Sequence, residues 1–223
     1  MYKIDRIMVA IGGIGQRAGC PEKKVPSKCF LKVKGVTLLE IIIKNILDTV
    51  GDAEIEIVVT NIEQEKMTHR TLSKYSYSYH IIYNDANDIF YLINEKKNTM
   101  IVYGDTYFPN DNPITTMVDL FKKNGCTQFM LLETQDGIDN VIFDIDENRI
   151  IKQVKKGKQE YEASQVFIFS KDDCIIIRDK IKNMNRFELI YSCIMKKSIC
   201  YAHFSNCLNI NTVEQCLKLG IEY

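Results

Sequence analysis

The residues best suited to chemistry lie in one stretch, Ile7 to Leu39, which reads IMVAIGGIGQRAGCPEKKVPSKCFLKVKGVTLL. An apolar run ends in Gly12, Gly13 and Gly15; the loop then delivers Arg17, passes Pro21 and Pro26, and delivers Lys28 before a helix is expected from Thr37. Glycines without a Cβ let backbone N–H groups approach phosphate oxygens, while a guanidinium and an ammonium neutralise the charge, so the stretch reads as a phosphate-binding loop. A carboxylate is the second candidate. Asp105 follows the apolar run Thr99–Tyr103 and Gly104, which puts it at the end of a buried strand, on the side of the glycine loop. Mg²⁺ takes one or two such carboxylates plus substrate phosphates.

Bland readings stand beside these. A glycine turn can be purely structural, and a strand ending in Gly-Asp is often only a turn. Gly13-Ile-Gly15-Gln-Arg-Ala18 also satisfies the dinucleotide fingerprint with alanine in last place. That fingerprint needs a helix starting inside the glycines and an acidic residue about 20 positions on, at the end of a second strand. Pro21 and Pro26 interrupt any such helix, and the acidic candidate, Glu40, lies in a helical pattern. A long, irregular loop favours a triphosphate cradle over a dinucleotide turn.

The elements that must position these groups follow from periodicity. Lys3 to Gly12 is expected as a first strand, unbroken in its apolar run and therefore covered on both faces. Thr37-Leu-Leu-Glu40 is a capping box, and apolar residues at 38, 39, 42, 43, 46, 47 and 50 predict a helix closed by Gly51. Strands are expected over 54–60, 77–83 and 99–103, with a helix capped by Asn61 running to about Tyr75 and another over 85–97. This alternation implies right-handed βαβ units and a mostly parallel sheet. Beyond Asp105 the pattern changes to a helix over 114–123 stopped by Gly125, then strands over 128–133, 140–146, 150–155 and 165–170, with a hairpin turn at Asp146-Glu-Asn148. Two helices within 171–196, a strand over 199–204 and a last helix over 212–219 complete the chain. The fold class is α/β, a Rossmann-like, mostly parallel mixed sheet with helices on both faces. The expectation is one domain over 1–223, with a nucleotide-binding half, 1–108, and an α+β acceptor-binding half, 109–223.

Composition narrows the function classes. Hydrophobic residues are 46% and charged residues 26% of 223, an ordinary globular balance. Lys plus Arg equals Asp plus Glu, 29 against 29, so no global field attracts nucleic acid or an anionic membrane. Without a signal-peptide pattern or a long apolar run, the expected location is cytoplasmic. The eight cysteines contain no C-x-x-C pair and read as reduced, mostly buried thiols. Cys193, Cys200 and Cys207 recur every seven residues, with His203 the one histidine near them, and a satisfied histidine outweighs a ligand there.

The stretch Ile7–Leu39 resembles the signature of the sugar-1-phosphate nucleotidyltransferases, which share a GT-A-like fold. Gly12, Gly13, Gly15, Arg17, Pro26, Lys28, Leu31, Val33, Gly35, Leu38 and Leu39 fall in the family's order. Two departures stand out: Ser27 separates Pro26 from Lys28, with Lys23 and Lys24 nearby as substitutes, and Thr37 stands where proline is common. The resemblance implies Arg17 and Lys28 as catalytic groups. It implies nucleotide contacts from Ile11, Gly12, Gly13, Gly15, Gln16, Arg17, Lys28, Asn84, Asp88 and Gly104. Asp105 matches the family's metal position, and Asn209-Ile-Asn211-Thr212 matches its closing segment, with Asn211 preferred to Asn209 as the second Mg²⁺ ligand. Lys155-Lys156-Gly157 stands where the family carries Glu-Lys-Pro, which leaves Lys156 for the acceptor. Asn211 and Thr212 are equally good helix caps, with Glu214 or Gln215 reaching back.

The implied activity is Mg²⁺-dependent transfer from a nucleoside triphosphate to a phosphorylated small-molecule acceptor, foremost a sugar 1-phosphate, giving NDP-sugar for polysaccharide precursors and pyrophosphate. The segment Tyr83 to Tyr91 also resembles cytidylyltransferases acting on phosphocholine-like alcohols. A glycosyltransferase using Asp144-Ile-Asp146, a non-catalytic nucleotide-binding module and a nicotinamide enzyme are the other classes. No nucleic acid or membrane partner is expected, and a homo-oligomer is left open.

Overall fold

In the computed structural model, residues 2–84, 86–109, 112–133, 141–145, 151–156, 161–183, 201–205 and 208–223 are described. In chain order the first half carries β1 (Arg6–Ala10), β2 (Lys32–Val33), β3 (Val36–Thr37), α1 (Leu38–Val50), β4 (Glu54–Val59), α2 (Ile62–Leu72), β5 (His80–Tyr83) and β6 (Thr99–Tyr103). The second half carries β7 (Thr106–Tyr107), α3 (Pro113–Asn124), β8 (Gln128–Glu133), β9 (Val141–Ile145), β10 (Ile151–Lys156), β11 (Tyr161–Phe169), α4 (Lys171–Lys180), β12 (Tyr201–Ser205), β13 (Leu208–Asn209), α5 (Val213–Lys218) and β14 (Ile221–Glu222).

Among the described residues the main sheet has nine strands, ordered β10-β9-β11-β6-β1-β4-β5, with β8 beside β11 and β12 beside β8. β1, β4, β5 and β6 are mutually parallel, and β11 runs antiparallel to β6. β1 is buried at all five positions, as a central strand covered on both faces must be. Ile7 and Val9 point with Ile57 and Val102 into a core shared with α1 and α3. On the opposite face, Phe90, Phe129, Phe167 and Phe169 cluster, mostly edge-to-face, with ring centroids 5.6–6.4 Å apart, beneath α4 with its buried Cys174 and Ile177. The mixed, mostly parallel sheet with helices on both faces is the α/β architecture the sequence predicts.

Local signals explain the boundaries. Thr37 caps α1 through the capping box with Glu40, and Gly51 ends it. Asn61 caps α2, and Gly125, in the left-handed region, ends α3. The expected helix over 85–97 is instead a 3-10 segment, Ala86–Leu92. Arg178 Nη1 donates to the Tyr91 carbonyl at 2.8 Å and Arg6 takes the Leu92 carbonyl, so the acceptors that a longer helix would use are occupied. The expected strand over 77–83 pairs only from His80, opposite Glu56; upstream, Tyr75, Tyr77 and Tyr79 pack against one another.

The hairpin β9–β10 forms as expected, while its turn at 146–148 lies outside the described residues. Of the two helices expected within 171–196, the first is α4, and residues 184–200 lie outside the described residues. Two small sheets went unpredicted: β14-β2-β3, and β13 antiparallel to β7. Strands of two residues have no period to read. Among the described residues, no helix is long and apolar enough to cross a membrane.

Candidate active site

The rim where β1 and β6 end carries the site. Ile11 N–H donates to the Val58 carbonyl at 3.0 Å and Gly104 N–H donates to the Ala10 carbonyl at 2.8 Å, so the glycine loop and the Gly104-Asp105 turn leave the sheet side by side. Gly13 (φ 93°) and Gly15 (φ 63°) lie in the left-handed region, which turns the loop away from the strand without steric cost. At Gly104, a Cβ would fall 2.4 Å from Cys29 Sγ and 3.2 Å from Ile11 Cγ2, a separation that only glycine permits. After Gly15 a short 3-10 turn, Gln16–Ala18, buries Ala18 and leaves Gln16 and Arg17 exposed. Arg17 has no intramolecular partner among the described residues.

Lys28 opens a second 3-10 turn, Lys28–Phe30, that is anchored by buried Cys29 and Phe30. Ser27 caps this turn: its Oγ accepts from Cys29 N–H at 3.4 Å and donates to the Ile11 carbonyl at 2.7 Å. Fixed there, Lys28 Nζ donates to Asp105 Oδ2 and, at 3.2 Å, to Asn211 Oδ1. The side chains of Lys28 and Asp105 are each only 16% exposed, so solvent screens their attraction weakly.

Asn211 reaches this point because β13 pairs with β7 and Ile210 N–H donates to the Asp105 carbonyl at 3.0 Å. Thr212 and Gln215 then start α5 with a capping box, and Gln215 Oε1 also accepts from Asn211 N–H at 2.7 Å. Three segments far apart in the chain therefore meet at one ammonium.

No protein-family profile matches the sequence, and no curated protein matches it. Solved structures do. A UDP-glucose pyrophosphorylase aligns with TM-score 0.75 at 12% identity, over 97% of this chain and 96% of that one. The CTP:phosphocholine cytidylyltransferase from Streptococcus pneumoniae aligns with TM-score 0.73 at 14% identity, over 97% of each chain. The inositol-1-phosphate CTP transferase from T. maritima aligns with TM-score 0.70 at 16% identity, over 98% of this chain and 95% of that one. The fold is that of the nucleotidyltransferases. At these identities the likeness speaks for architecture, and the chemistry must be argued from this chain's own residues.

On this nucleotidyltransferase fold the residues fit a hard divalent cation. Asp105 Oδ1 is buried and has no hydrogen-bond partner, an orphan that a protein interior rarely tolerates without a ligand. Asn211 Oδ1 is a second oxygen at the same place. Among the described residues no group of three or more His, Cys, Asp or Glu could hold a metal; an ion on Asp105 and Asn211 would have to draw its other oxygens from substrate and water. Burial pushes the Cys29 thiol up to about 12 and the Cys20 thiol up to about 11, so neither is a thiolate at neutral pH.

The remaining sequence candidates divide. Ile11, Gly12, Gly13, Gly15, Gln16, Arg17, Lys28, Gly104, Asp105 and Asn211 lie at or beside the β1–β6 rim. Asn84 ends β5, on the far side of β4, with its N–H donating to the Val59 carbonyl at 2.9 Å. Asp88 belongs to the 3-10 segment and Lys156 ends β10; the side chains of both, like that of Asn209, lie outside the described residues. Lys23 and Lys24 are not needed as substitutes for Lys28: both are exposed, and Lys23 Nζ sits 5.8 Å over the Tyr223 ring.

The sequence pattern does not reveal that Ser27 positions Lys28, or that Cys20 and Lys28 both crowd Gly15. Ser27 is 1% exposed, and a Cβ on Gly15 would fall 2.6 Å from Cys20 Sγ and 2.7 Å from Lys28 Cγ. The Pro-Ser-Lys departure from the family pattern was the available signal for Ser27.

Proposed function

We propose that this protein is a Mg²⁺-dependent nucleotidyltransferase that joins a nucleoside triphosphate to a phosphorylated small-molecule acceptor, a sugar 1-phosphate, with release of pyrophosphate. The observation that carries the reading is the meeting of Lys28, Asp105 and Asn211 beside the glycine loop. The choice of a sugar phosphate leans on neighbours named for UDP-glucose and inositol 1-phosphate, beside one named for phosphocholine.

In the reaction, an oxygen of the acceptor phosphate forms a bond to the α-phosphorus. The bond from that phosphorus to the bridging oxygen breaks, and its electron pair leaves with pyrophosphate. No covalent enzyme intermediate is required, since positioning and charge stabilisation are the main catalytic terms in such transfers.

The backbone N–H groups of the Gly12–Gly15 turn line the phosphates. Arg17, free of any intramolecular tie among the described residues, neutralises the leaving pyrophosphate. Lys28 exchanges Asp105 for the α-phosphate and its attacker. Asp105 and Asn211 would hold Mg²⁺, which would screen the phosphate charges. The cation count at the rim is local, in keeping with a chain of zero formal net charge.

The deciding experiment is a matrix of four nucleoside triphosphates against phosphorylated sugars, inositol phosphate and phosphocholine, scored by pyrophosphate and by the nucleotide-linked product. One sugar phosphate pairing is expected to turn over with Mg²⁺. Turnover of phosphocholine with CTP alone would redirect the assignment to a cytidylyltransferase for phospho-alcohols. In a separate arm offering NDP-sugars, release of nucleoside diphosphate with transfer of the glycosyl group, and no pyrophosphate from any triphosphate, would mark a glycosyltransferase. Binding without any product would leave a nucleotide-binding module.

A further inference from the structure

A cavity of about 560 Å³ lies between α2 and the outer face of the glycine loop, within the size range of small-molecule sites. Its loop wall carries Ile14 and Val25 and its helix wall carries Met67. Ile14 is 57% exposed, which leaves apolar surface beside the cavity for a ligand to cover. Three cations, Lys24, Lys66 and Arg70, stand around this apolar lining against a single carboxylate, Glu63.

That carboxylate pairs with Lys66 at 3.3 Å, and both side chains are about two-thirds exposed (66% and 69%), so the pair is weak. Lys24 and Arg70 have no side-chain partner among the described residues. Lys66 and Arg70 are four residues apart on α2 and share a face. Lys24 comes from the loop with φ 56°, a left-handed conformation uncommon for lysine.

The cavity is braced at its base. Gln64, fully buried, accepts from Thr60 N–H at 2.8 Å and donates from Nε2 to the Pro26 carbonyl at 3.2 Å. The next residue, Ser27, is tied to Ile11. Pro26 and Ser27 are thus pinned to α2 and β1, while Pro21 to Val25 arches over the cavity.

We propose that this cavity is a second binding site, outside the Lys28–Asp105 rim, for a phosphomonoester with an apolar organic portion. The organic portion covers Ile14, Val25 and Met67. The phosphate takes the planar guanidinium of Arg70 and the ammonium groups of Lys24 and Lys66, as charge-assisted hydrogen bonds favour. A ligand there bridges α2 to the arch that leads into Lys28.

The test uses the full chain with ¹³C-methyl-labelled methionine, the Met67 resonance assigned by Met67→Leu, and phenyl phosphate as the probe. A saturable shift of the Met67 methyl is expected. It should persist in Lys28→Met and weaken by about tenfold or more in the Lys66→Glu/Arg70→Glu double variant. Lys24→Glu, on the opposite wall, should weaken it as well, and gives a second reading if the helix variant does not fold. No shift at Met67, a shift indifferent to these charge reversals, or binding lost only with Lys28→Met would each overturn the site. Because the readout is binding at Met67, it stands or falls separately from pyrophosphate release.

Discussion

Ser27 Oγ donates to the carbonyl of Ile11 at 2.7 Å, which ties the turn bearing Lys28 to the end of the central strand. Directly after Pro26, where lysine would be usual in the resembling family, this chain places a buried hydroxyl that caps the next turn. The inserted serine therefore sets the height of the ammonium above the rim. Replacing it with alanine leaves the Ile11 carbonyl and the Cys29 N–H without this partner. Ser27→Ala should lose about 1–2 kcal/mol in urea denaturation, and turnover should fall by about tenfold or more as Lys28 drifts. Unchanged pyrophosphate release with lowered stability would make the contact structural only.

Arg17 offers the cleanest test of the chemistry, because among the described residues its side chain supports nothing in the fold. Arg17→Ala should keep the parent melting temperature while losing on the order of 10²-fold in turnover. Lys28→Met and Asp105→Asn should lose at least as much, and ordinary turnover in any of the three would remove that residue from the mechanism.

Gly13 and Gly15 should respond differently to alanine. A Cβ on Gly13 meets nothing within 4 Å, whereas one on Gly15 meets Cys20 and Lys28 at 2.6 and 2.7 Å. Both substitutions carry the left-handed cost of about 1–2 kcal/mol. Gly15→Ala should add the displacement of Lys28 and melt lower than Gly13→Ala. Gly13→Ala, altered only on its open side, should mainly weaken triphosphate binding, measured by calorimetry.

The buried thiols give a labelling prediction. Burial pushes Cys174, like Cys29, up to about 12, and Cys20 up to about 11. At pH 8 all three are neutral, and only the thiolate is a strong nucleophile. Mass spectrometry after brief iodoacetamide treatment should find Cys126, which is partly exposed, modified ahead of these three, with the order lost in denaturant.

Glu40 is one carboxylate, with Glu54, whose lowered pKa contributes to the acid limb of stability. Burial works against its charge, but the Lys74 ammonium and the Thr37 N–H and hydroxyl outweigh it and hold its carboxyl below the ordinary range. A depressed folded-state value contributes stability above the unfolded value, near 4, and that contribution fades as pH falls through the folded value. Glu40→Gln should cost about 1 kcal/mol at pH 7 and flatten the fall in melting temperature on acidification. An unchanged acid limb would remove Glu40 as a contributor.

Much of this molecule is legible in the chain because it depends on neighbours in sequence. The unbroken apolar run of β1, the Thr37–Glu40 capping box, the Asn61 cap and the Gly125 stop are all local features. Each fixes an element before any tertiary contact exists. The segment after β5 is 3-10 rather than the helix its pattern predicts because Arg6 and Arg178, from remote parts of the chain, claim its carbonyls. β7 and β13 escaped notice because two-residue strands acquire meaning only from each other.

The residue types at the rim, glycines, Arg17, Lys28, Asp105 and Asn211, were chosen by sequence alone. Their meeting was decided by the tertiary structure. Parallel pairing of β1 with β6 brings the loop and the carboxylate to one edge, and β13 on β7 carries Asn211 to the same ammonium. Such convergence comes from sheet pairing over long sequence separations, which local periodicity does not encode. The burial of Ser27 and the crowding of Gly15 by Cys20 and Lys28 likewise exist only once the loop has folded back on the strand.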